Sequence, residues 1–576
     1  MASPETQAIA LHREGKEDSA IEAYHKLVNN GTRDYRIYIN YAVLLKKKDN
    51  VKNSQLLLEH ALKIGVRHPW LFNNLANIYV RSESPCRAIP LLLDAIKEDP
   101  NYLDPTLTLA SLLHEQGHKC LGRSILINHL SNKNLSSKDS LRICIGLLGL
   151  YSHESYSNTI NSTTPSLLRY LESTNSLAFL DLEPLETLQF LLAKIQILGE
   201  TASTEALINV SNSINKLTSE LKLADPANYN KAVTRARSGL WNLSCVLLRK
   251  GSHELGWKYY DNGLQVPAPA PQKWQRALFK PYTFAELPLL STDSLVDAKS
   301  ILLLGEQGIG DAMMFVQCIT HLRKKTSARI TVALNKRLVP IYNDSLRDID
   351  VLIDSEVRIK YPDAKSNFDF QLPIGSLSRL LSLTPENTRS PGILLTDEEE
   401  SSKLREKYIN AFNKTLENPF LLGISWQGGG RPDRISLKSV RLEELISLFN
   451  KSNIIPVSLQ YGDDRPHVNK FNNTYSQNLL HDDSIDPVSD LHGFLPQVKA
   501  MDAVISIANT TVHCSGGLNV PTLCLVSKSA DWRWLKPDIY KGSYWYSTVD
   551  AAYQDESGSW KQAIQQAEDW LDQQIA

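Results

Sequence analysis

The chain has 576 residues, 42% of them apolar and 22% charged, with a formal net charge of -1; at roughly 150 residues per domain, that length suggests three or four domains of ordinary globular composition. Near-neutral charge argues against a nucleic-acid binder, whose affinity comes mainly from Lys and Arg neutralising phosphates, and against a polybasic membrane-surface protein; only a local basic groove stays open. The seven cysteines are scattered and form no CxxC pair, which argues against a disulfide framework or a zinc site. No stretch approaches roughly 18 apolar residues and the first twenty carry no signal-like core, so no membrane span is expected and the cytoplasm is the default location.

The first half repeats every 34 residues: Ala8, Ala42, Ala76 and Ala110 form one series, and Leu11, Leu45, Tyr79 and Leu113 a second. Ala20, Ser54, Ala88 and Gly122 keep the same spacing, as do Tyr24, Leu58, Leu92 and Leu126, while Leu27, Ala61 and Ala95 end at His129. Small residues recur where two antiparallel helices must approach closely, and large apolar ones recur a turn away to fill the gap between pairs. Gly15, Asp49 and Gly117 fall in the turns, where positive φ is tolerated, and Pro100 stops a helix. The pattern resembles the tetratricopeptide repeat. It predicts an α solenoid, with repeats over residues 1–130 and degenerate helical repeats over 131–265. The register returns in Ser244, Leu247, Gly251, Gly256 and Tyr260. The concave face of such an array suits peptides or partner proteins, the plainer role being support of its neighbour.

VPAPAPQKW at 266–274 breaks the helical rhythm and marks a boundary. Beyond it, short apolar or β-rich runs alternate with helix-like segments: SILLL, ARITVALN and VLIDS, with FDFQLPIGSLSRLL following, then FLLGISWQ, IIPVSLQ, DAVISIA and TLCLVS. Such alternation indicates parallel βα units. Two series in tandem predict two doubly wound, Rossmann-like domains, residues 266–395 and 396–576, with a cleft between them. The second closes on an amphipathic helix whose buried side is marked by Trp560, Ile564, Ala567, Trp570 and Leu571.

Ligands of doubly wound sheets bind at the carboxyl ends of the strands, and three strand ends carry unusual residues. GEQGIGD at 305–311 joins a strand to a helix; Gly308 and Gly310 allow close approach of a ligand, and Asp311 reads first as an N-cap, with a general base taking a hydroxyl proton as its functional reading. The turn after FLLGISWQ offers Gly428, Gly429 and Gly430, followed by Arg431, Arg434 and Lys438, either a diphosphate cradle or a solvated loop. In IANTTVHCSGG, Asn509, Thr510 and Thr511 stand at a helix start, where two hydroxyls and free N–H groups could hold a phosphate. His513 is a second-rank candidate. Gln460 either hydrogen-bonds a nucleotide or caps its strand end. In DWRW at 531–534, Asp531, Trp532 and Arg533 suggest a shaped acceptor or sugar loop, whose aromatics either stack on a sugar or base or pack against the C-terminal helix, packing being the favoured reading for Trp534. Nothing indicates a metal site or a hydrolase elbow.

GEQGIGDAM, VSLQ, NTTVHCSGGLNVP and DWRW, together with the repeats, resemble tetratricopeptide-containing sugar transferases with a GT-B fold, similar to bacterial heptosyltransferase-like proteins and more distantly to protein O-GlcNAc transferases. That resemblance implies that Asp311 is the base, that Lys438 meets the donor phosphate, and that Thr510 and Thr511 bind the diphosphate. The turn departs from the heptosyltransferase pattern at Ala508 and Asn509, and from the O-GlcNAc transferase pattern at Asn509 and Cys514. The reading that follows is a metal-independent glycosyltransferase with no cofactor beyond its nucleotide-sugar substrate, UDP-linked donors among the candidates, acting on a protein Ser or Thr recruited by the repeats. The alternatives are a non-catalytic repeat scaffold with a degenerate transferase half, and transfer to a glycan or lipid-linked sugar.

Overall fold

A computed structural model describes residues 3–82, 84–130, 137–151, 187–188, 191–192, 195, 199, 203–224, 226–266, 276, 286–412, 416–429, 435, 437–451, 453–462, 464–528 and 531–576. Most of the degenerate segment 152–203, the linker residues 267–275, and Gly430, Arg431 and Arg434 lie outside them. The chain divides into two compact units, one carrying the helices up to Tyr151 and the other carrying everything from Thr204 onward.

The first unit is a stack of helix pairs: α1 (Pro4–Arg13) with α2 (Glu17–Asn29), α3 (Tyr35–Lys47) with α4 (Val51–Lys63), α5 (Pro69–Arg81) with α6 (Pro85–Glu98), and α7 (Leu103–Glu115) with α8 (Lys119–Leu130), then α9 (Ser137–Tyr151). Prolines open α1, α5 and α6 at positions where no helical donor is lost. Asp34 and Asn50 cap α3 and α4 by accepting from the N–H of Arg36 and Asn53. The small-residue series does what close packing needs. Ala42, Ala76, Ala20 and Ala88 are fully buried, Ser54 Oγ donates to the Ala42 carbonyl at 3.0 Å, and a Cβ on Gly122 would lie 2.5 Å from the Ala110 carbonyl oxygen. Gly15, Asp49 and Gly117 all turn at positive φ.

The second unit opens with α10 (Thr204–Ala224), α11 (Pro226–Arg249) and α12 (His253–Tyr260). The expected boundary at the Pro/Ala-rich linker does not coincide with this division, for a physical reason. Trp257 and Tyr260 are buried in one core with Ile301, Leu303 and Phe315, and the Trp257 indole donates to the Leu383 carbonyl at 2.9 Å. The solenoid rhythm continues in α11 and α12, yet its apolar face packs on the sheet that follows.

That sheet contains β1 (Ser300–Leu304), β2 (Arg329–Leu334), β3 (Asp350–Ile353) and β4 (Phe370–Pro373), all parallel, in the order β3-β2-β1-β4. The helix α13 (Ile309–Val316) follows β1. A second parallel sheet contains β5 (Phe420–Ser425), β6 (Ile454–Ser458), β7 (Ala503–Ile507), β8 (Thr522–Val526) and β9 (Val549–Tyr553), in the order β6-β5-β7-β8-β9. The helix α14 (Thr510–Gly517) follows β7, and α15 (Lys561–Ile575) ends the chain. One face of the second sheet (Ile424, Ile505, Leu525) packs on Ile564, Ala567, Trp570 and Leu571 of α15. The other face joins the first sheet in a continuous core that contains Leu303, Phe315, Val504, Val512 and Val526. Among the described residues, no helix is long and apolar enough to cross a membrane.

Candidate functional site

Both strand orders contain a switch point, where consecutive crossovers leave one strand in opposite directions and open a crevice at the carboxyl ends. In the second sheet it lies between β5 and β7, and one side chain closes most of its polar accounts. Asn509, the N-cap of α14, accepts from the Thr511 N–H at 2.9 Å and from Ser506 Oγ at 3.1 Å, and donates to Ser425 Oγ at 2.8 Å. It caps the helix and ties it to β5. The N–H groups of Thr510 and Val512 belong to the first turn, which has no intrahelical acceptor. Thr510 is half-buried at the mouth. Thr511 corrects the expectation of two converging hydroxyls: it is buried, its hydroxyl donates to the Leu459 carbonyl at 3.4 Å, and Thr510 supplies the accessible one.

Of its two readings, Gln460 takes the one closer to a polar cap of strand ends. Its Oε1 accepts from the N–H groups of Trp426 and Gln427 at 3.0 and 2.8 Å and from Ser425 Oγ, while Nε2 donates to the Gln427 carbonyl. The side chain shapes the loop after β5 from within and has little left for a nucleotide. In that loop Gly428 donates to Ser439 Oγ at 3.1 Å and lies 3.6 Å, by its would-be Cβ, from Lys438 Cβ; a Cβ on Gly429 would lie 2.6 Å from the Tyr461 hydroxyl. The glycines thus stand against Lys438 and Tyr461.

At the end of β1 the chain turns through Gln307 at φ 60°. Gly308, not Asp311, is the N-cap of α13; Asp311 occupies the third helical position and its Oδ2 accepts back from the Gly308 N–H at 3.3 Å. Its Oδ1 accepts from Arg533 Nε at 2.5 Å. Arg533 Nη1 donates to Asp531 Oδ2 at 2.6 Å and Nη2 to Gln307 Oε1 at 3.3 Å, and the guanidinium lies 4.4 Å from the Trp532 ring centroid. The side chains of Asp311 and Arg533 are 15% and 19% exposed, that of Asp531 46%. Partial desolvation pulls the half-exposed Asp531 carboxyl upward, but Arg533 and then Lys438 hold it below the ordinary carboxylate value. Residues 305–311 of the first sheet and 531–533 of the second therefore meet at one ion cluster, with Lys438 within electrostatic reach.

His513, one turn into α14, packs on Gly310, whose would-be Cβ lies 2.9 Å from His513 Cδ2. Burial pushes its pKa down to about 4, against the pull of Asp311. The ring is neutral near pH 7 and pairs with the Tyr546 hydroxyl at 3.3 Å, so it brings no cation to a phosphate. Trp532 corrects the expectation of a sugar-stacking ring. It is 3% exposed and packs among Trp257, Tyr260, Phe315 and Trp545. Trp534 shares that core rather than packing on α15.

The switch point of the first sheet holds residues that the sequence reading did not single out. Arg276 donates through Nε and Nη2 to Glu306, through Nη1 to the Tyr260 carbonyl and Asp261 Oδ1, and through Nη2 to Ser376 Oγ, with its guanidinium 4.2 Å from the Tyr260 ring centroid. Glu306 also accepts from the Gly375 N–H at 2.9 Å. Both partners of the Arg276–Glu306 pair are fully buried. An acidic residue immediately after an apolar strand was the one available signal; its partner, 30 residues earlier in a Pro-rich stretch, was invisible. Among the described residues, no group of three or more His, Cys, Asp or Glu is arranged to hold a metal ion.

No protein-family profile matches the chain, and no curated protein matches it. Solved structures do. The chain is similar to a glycosyl transferase family 9 protein from Veillonella parvula, at 12% identity and a TM-score of 0.36 over 50% of this chain and 99% of that one. It is similar to the E. coli ADP-heptose LPS heptosyltransferase II, at 15% identity and 0.32 over 48% and 98%. It is also similar to the C-terminal part of a TPR repeat-containing protein from Cytophaga hutchinsonii, at 16% identity and 0.29 over 44% and 93%.

Proposed function

We propose that the chain is a glycosyltransferase of the GT-B type, moving a sugar from a nucleoside-diphosphate sugar to an acceptor hydroxyl without a metal. The observation that carries this reading is the meeting of two strand-end loops, one from each parallel sheet, at Asp311, Arg533 and Asp531 beside the first turn of α14. The first turn of α14, the Thr510 hydroxyl and Lys438 would receive the diphosphate, where helix N–H groups and a cation offset the charge that develops as it leaves. The acceptor oxygen bonds to the anomeric carbon, the bond from that carbon to the phosphate oxygen breaks, and the acceptor proton passes to Asp311. The repeats are the natural place to recruit a protein Ser or Thr acceptor, since stacked helix pairs present an extended concave surface.

A thermal-shift screen with UDP, GDP, ADP, CMP and dTDP, each with and without EDTA, tests this. A stabilisation that survives chelation and is lost in Thr510→Ala and Lys438→Ala supports the donor site and names the nucleotide. No shift with any of them sinks the reading in favour of a non-catalytic scaffold, which the pairing of Arg533 with Asp311, Asp531 and Gln307 also suits; a pull-down on the first unit is then the next step.

A further inference from the structure

We propose that Arg533 is a ligand of the donor diphosphate held in reserve on Asp311, so that donor binding is what frees the base. The inference rests on the donor-site reading above and deepens it. Each nitrogen of the guanidinium that donates does so to a different acceptor: Nε to Asp311, Nη1 to Asp531 and Nη2 to the neutral amide of Gln307. Asp311 is equally committed, with Oδ1 taken by Arg533 and Oδ2 by the Gly308 N–H. The guanidinium and the amide each take one acceptor site of the Asp311 carboxylate, so an acceptor hydroxyl must share the Oδ1 side with a cation already seated there.

The backbone beneath Arg533 is held in place, while its side chain stays 19% exposed. Trp532 is buried among four aromatic side chains, which fixes the backbone under Arg533. The Arg533 N–H is tied to Asp531 Oδ1 at 3.0 Å. The flat face of the Trp532 ring gives the cation a platform on which it can turn while keeping its contact. The destination is close: Gly310 touches His513 in the first turns of α14, so the Asp311–Arg533 pair stands beside the helix end that would hold the phosphates. A diphosphate offers more charge and a better bidentate match to the guanidinium than the single oxygen Asp311 presents.

The idea makes a prediction of sign. If Asp311 competes with the ligand for Arg533, its neutralisation must tighten binding. Calorimetric titration of the full chain with UDP and with inorganic pyrophosphate is run on wild type, Asp311→Asn, Arg533→Gln, Arg533→Lys and the Asp311→Asn/Arg533→Gln pair. Asp311→Asn should bind about three- to tenfold tighter and Arg533→Gln about tenfold weaker. Arg533→Lys should fall between, keeping charge without the fork. In the Arg533→Gln background, Asp311→Asn should have almost no effect. A neutral or weakened Asp311→Asn overturns the proposal while leaving the donor site intact. So does tightening of equal size in both backgrounds, which would report general charge repulsion. Failure of every protein, wild type included, to bind either probe would overturn the donor-site reading and this inference together.

Discussion

In the first unit the determinants of structure are local and repeated; in the second they are solitary and far apart. Ala42 meets Ser54 twelve residues on, Ala76 and Ala88 are buried at the same spacing in the next pair, and the turns at Gly15, Asp49 and Gly117 pass through positive φ. Arg276 depends instead on Ser376, 100 residues later, and Arg533 on Asp311, 222 residues earlier. A one-dimensional stack spreads its stability over equivalent interfaces, so the loss of one is shared. A core that contains a buried ion pair concentrates its vulnerability. The contrast says where each half should break.

The sharpest test is Arg276→Met, which leaves the Glu306 carboxylate buried without its cation and should destabilise the second unit by about 3–5 kcal/mol. Two transitions in chemical denaturation, only one of them shifted, would uphold the contrast; a common shift would erase it. Next is acid. His513 has a folded pKa of about 4 against 6.5 for the free group, so its contribution is present above pH 6.5 and is lost as pH falls from 6.5 toward 4, by at most about 3 kcal/mol. Comparing the pH dependence of melting in wild type and His513→Phe isolates this contribution; parallel curves would remove it. In the array, Gly122→Ala drives a methyl into the Ala110 carbonyl and should cost about 1–3 kcal/mol, confined to the first unit's transition. Smallest is Asn509→Ala, at about 1 kcal/mol for the lost cap, read as a lowered melting midpoint of the second unit, since β5 and α14 are no longer tied together.

The same contrast explains what could be read in advance. A period of 34 residues announces itself, and seven of the nine strands read as apolar or β-rich runs, while FQLP, with Gln371 in its middle, does not stand out. The ninth, VDAAY, sits at the sheet edge with Asp550 exposed and lacks that texture. The candidate strand ends were legible as places, since glycines and a helix start mark them. Individual roles were less so, because they depend on which neighbour takes each hydrogen bond. Thr511 turns its hydroxyl to Leu459, Gln460 gives its amide to the β5 loop, and Trp532 goes inward to Trp257. Asp311 was recognisable as a helix-start carboxylate, but its place three residues after the cap followed from the positive φ of Gln307 and the cap at Gly308. Nothing near Arg276 announced its partners.

The burial of Trp257 and Tyr260 has a practical consequence for dissecting the protein. A fragment begun at the Pro/Ala-rich segment would look, by sequence, like a tidy transferase half. It would arrive without the two rings that Phe315 and Trp532 pack against, and without Asp261, which Arg276 and Arg379 share. The shortest recombinant piece that keeps this core whole begins ahead of Pro226, the start of the helix that carries Trp241, Cys245 and Leu248 into it, and a library of truncations should show soluble expression collapsing between that point and residue 266.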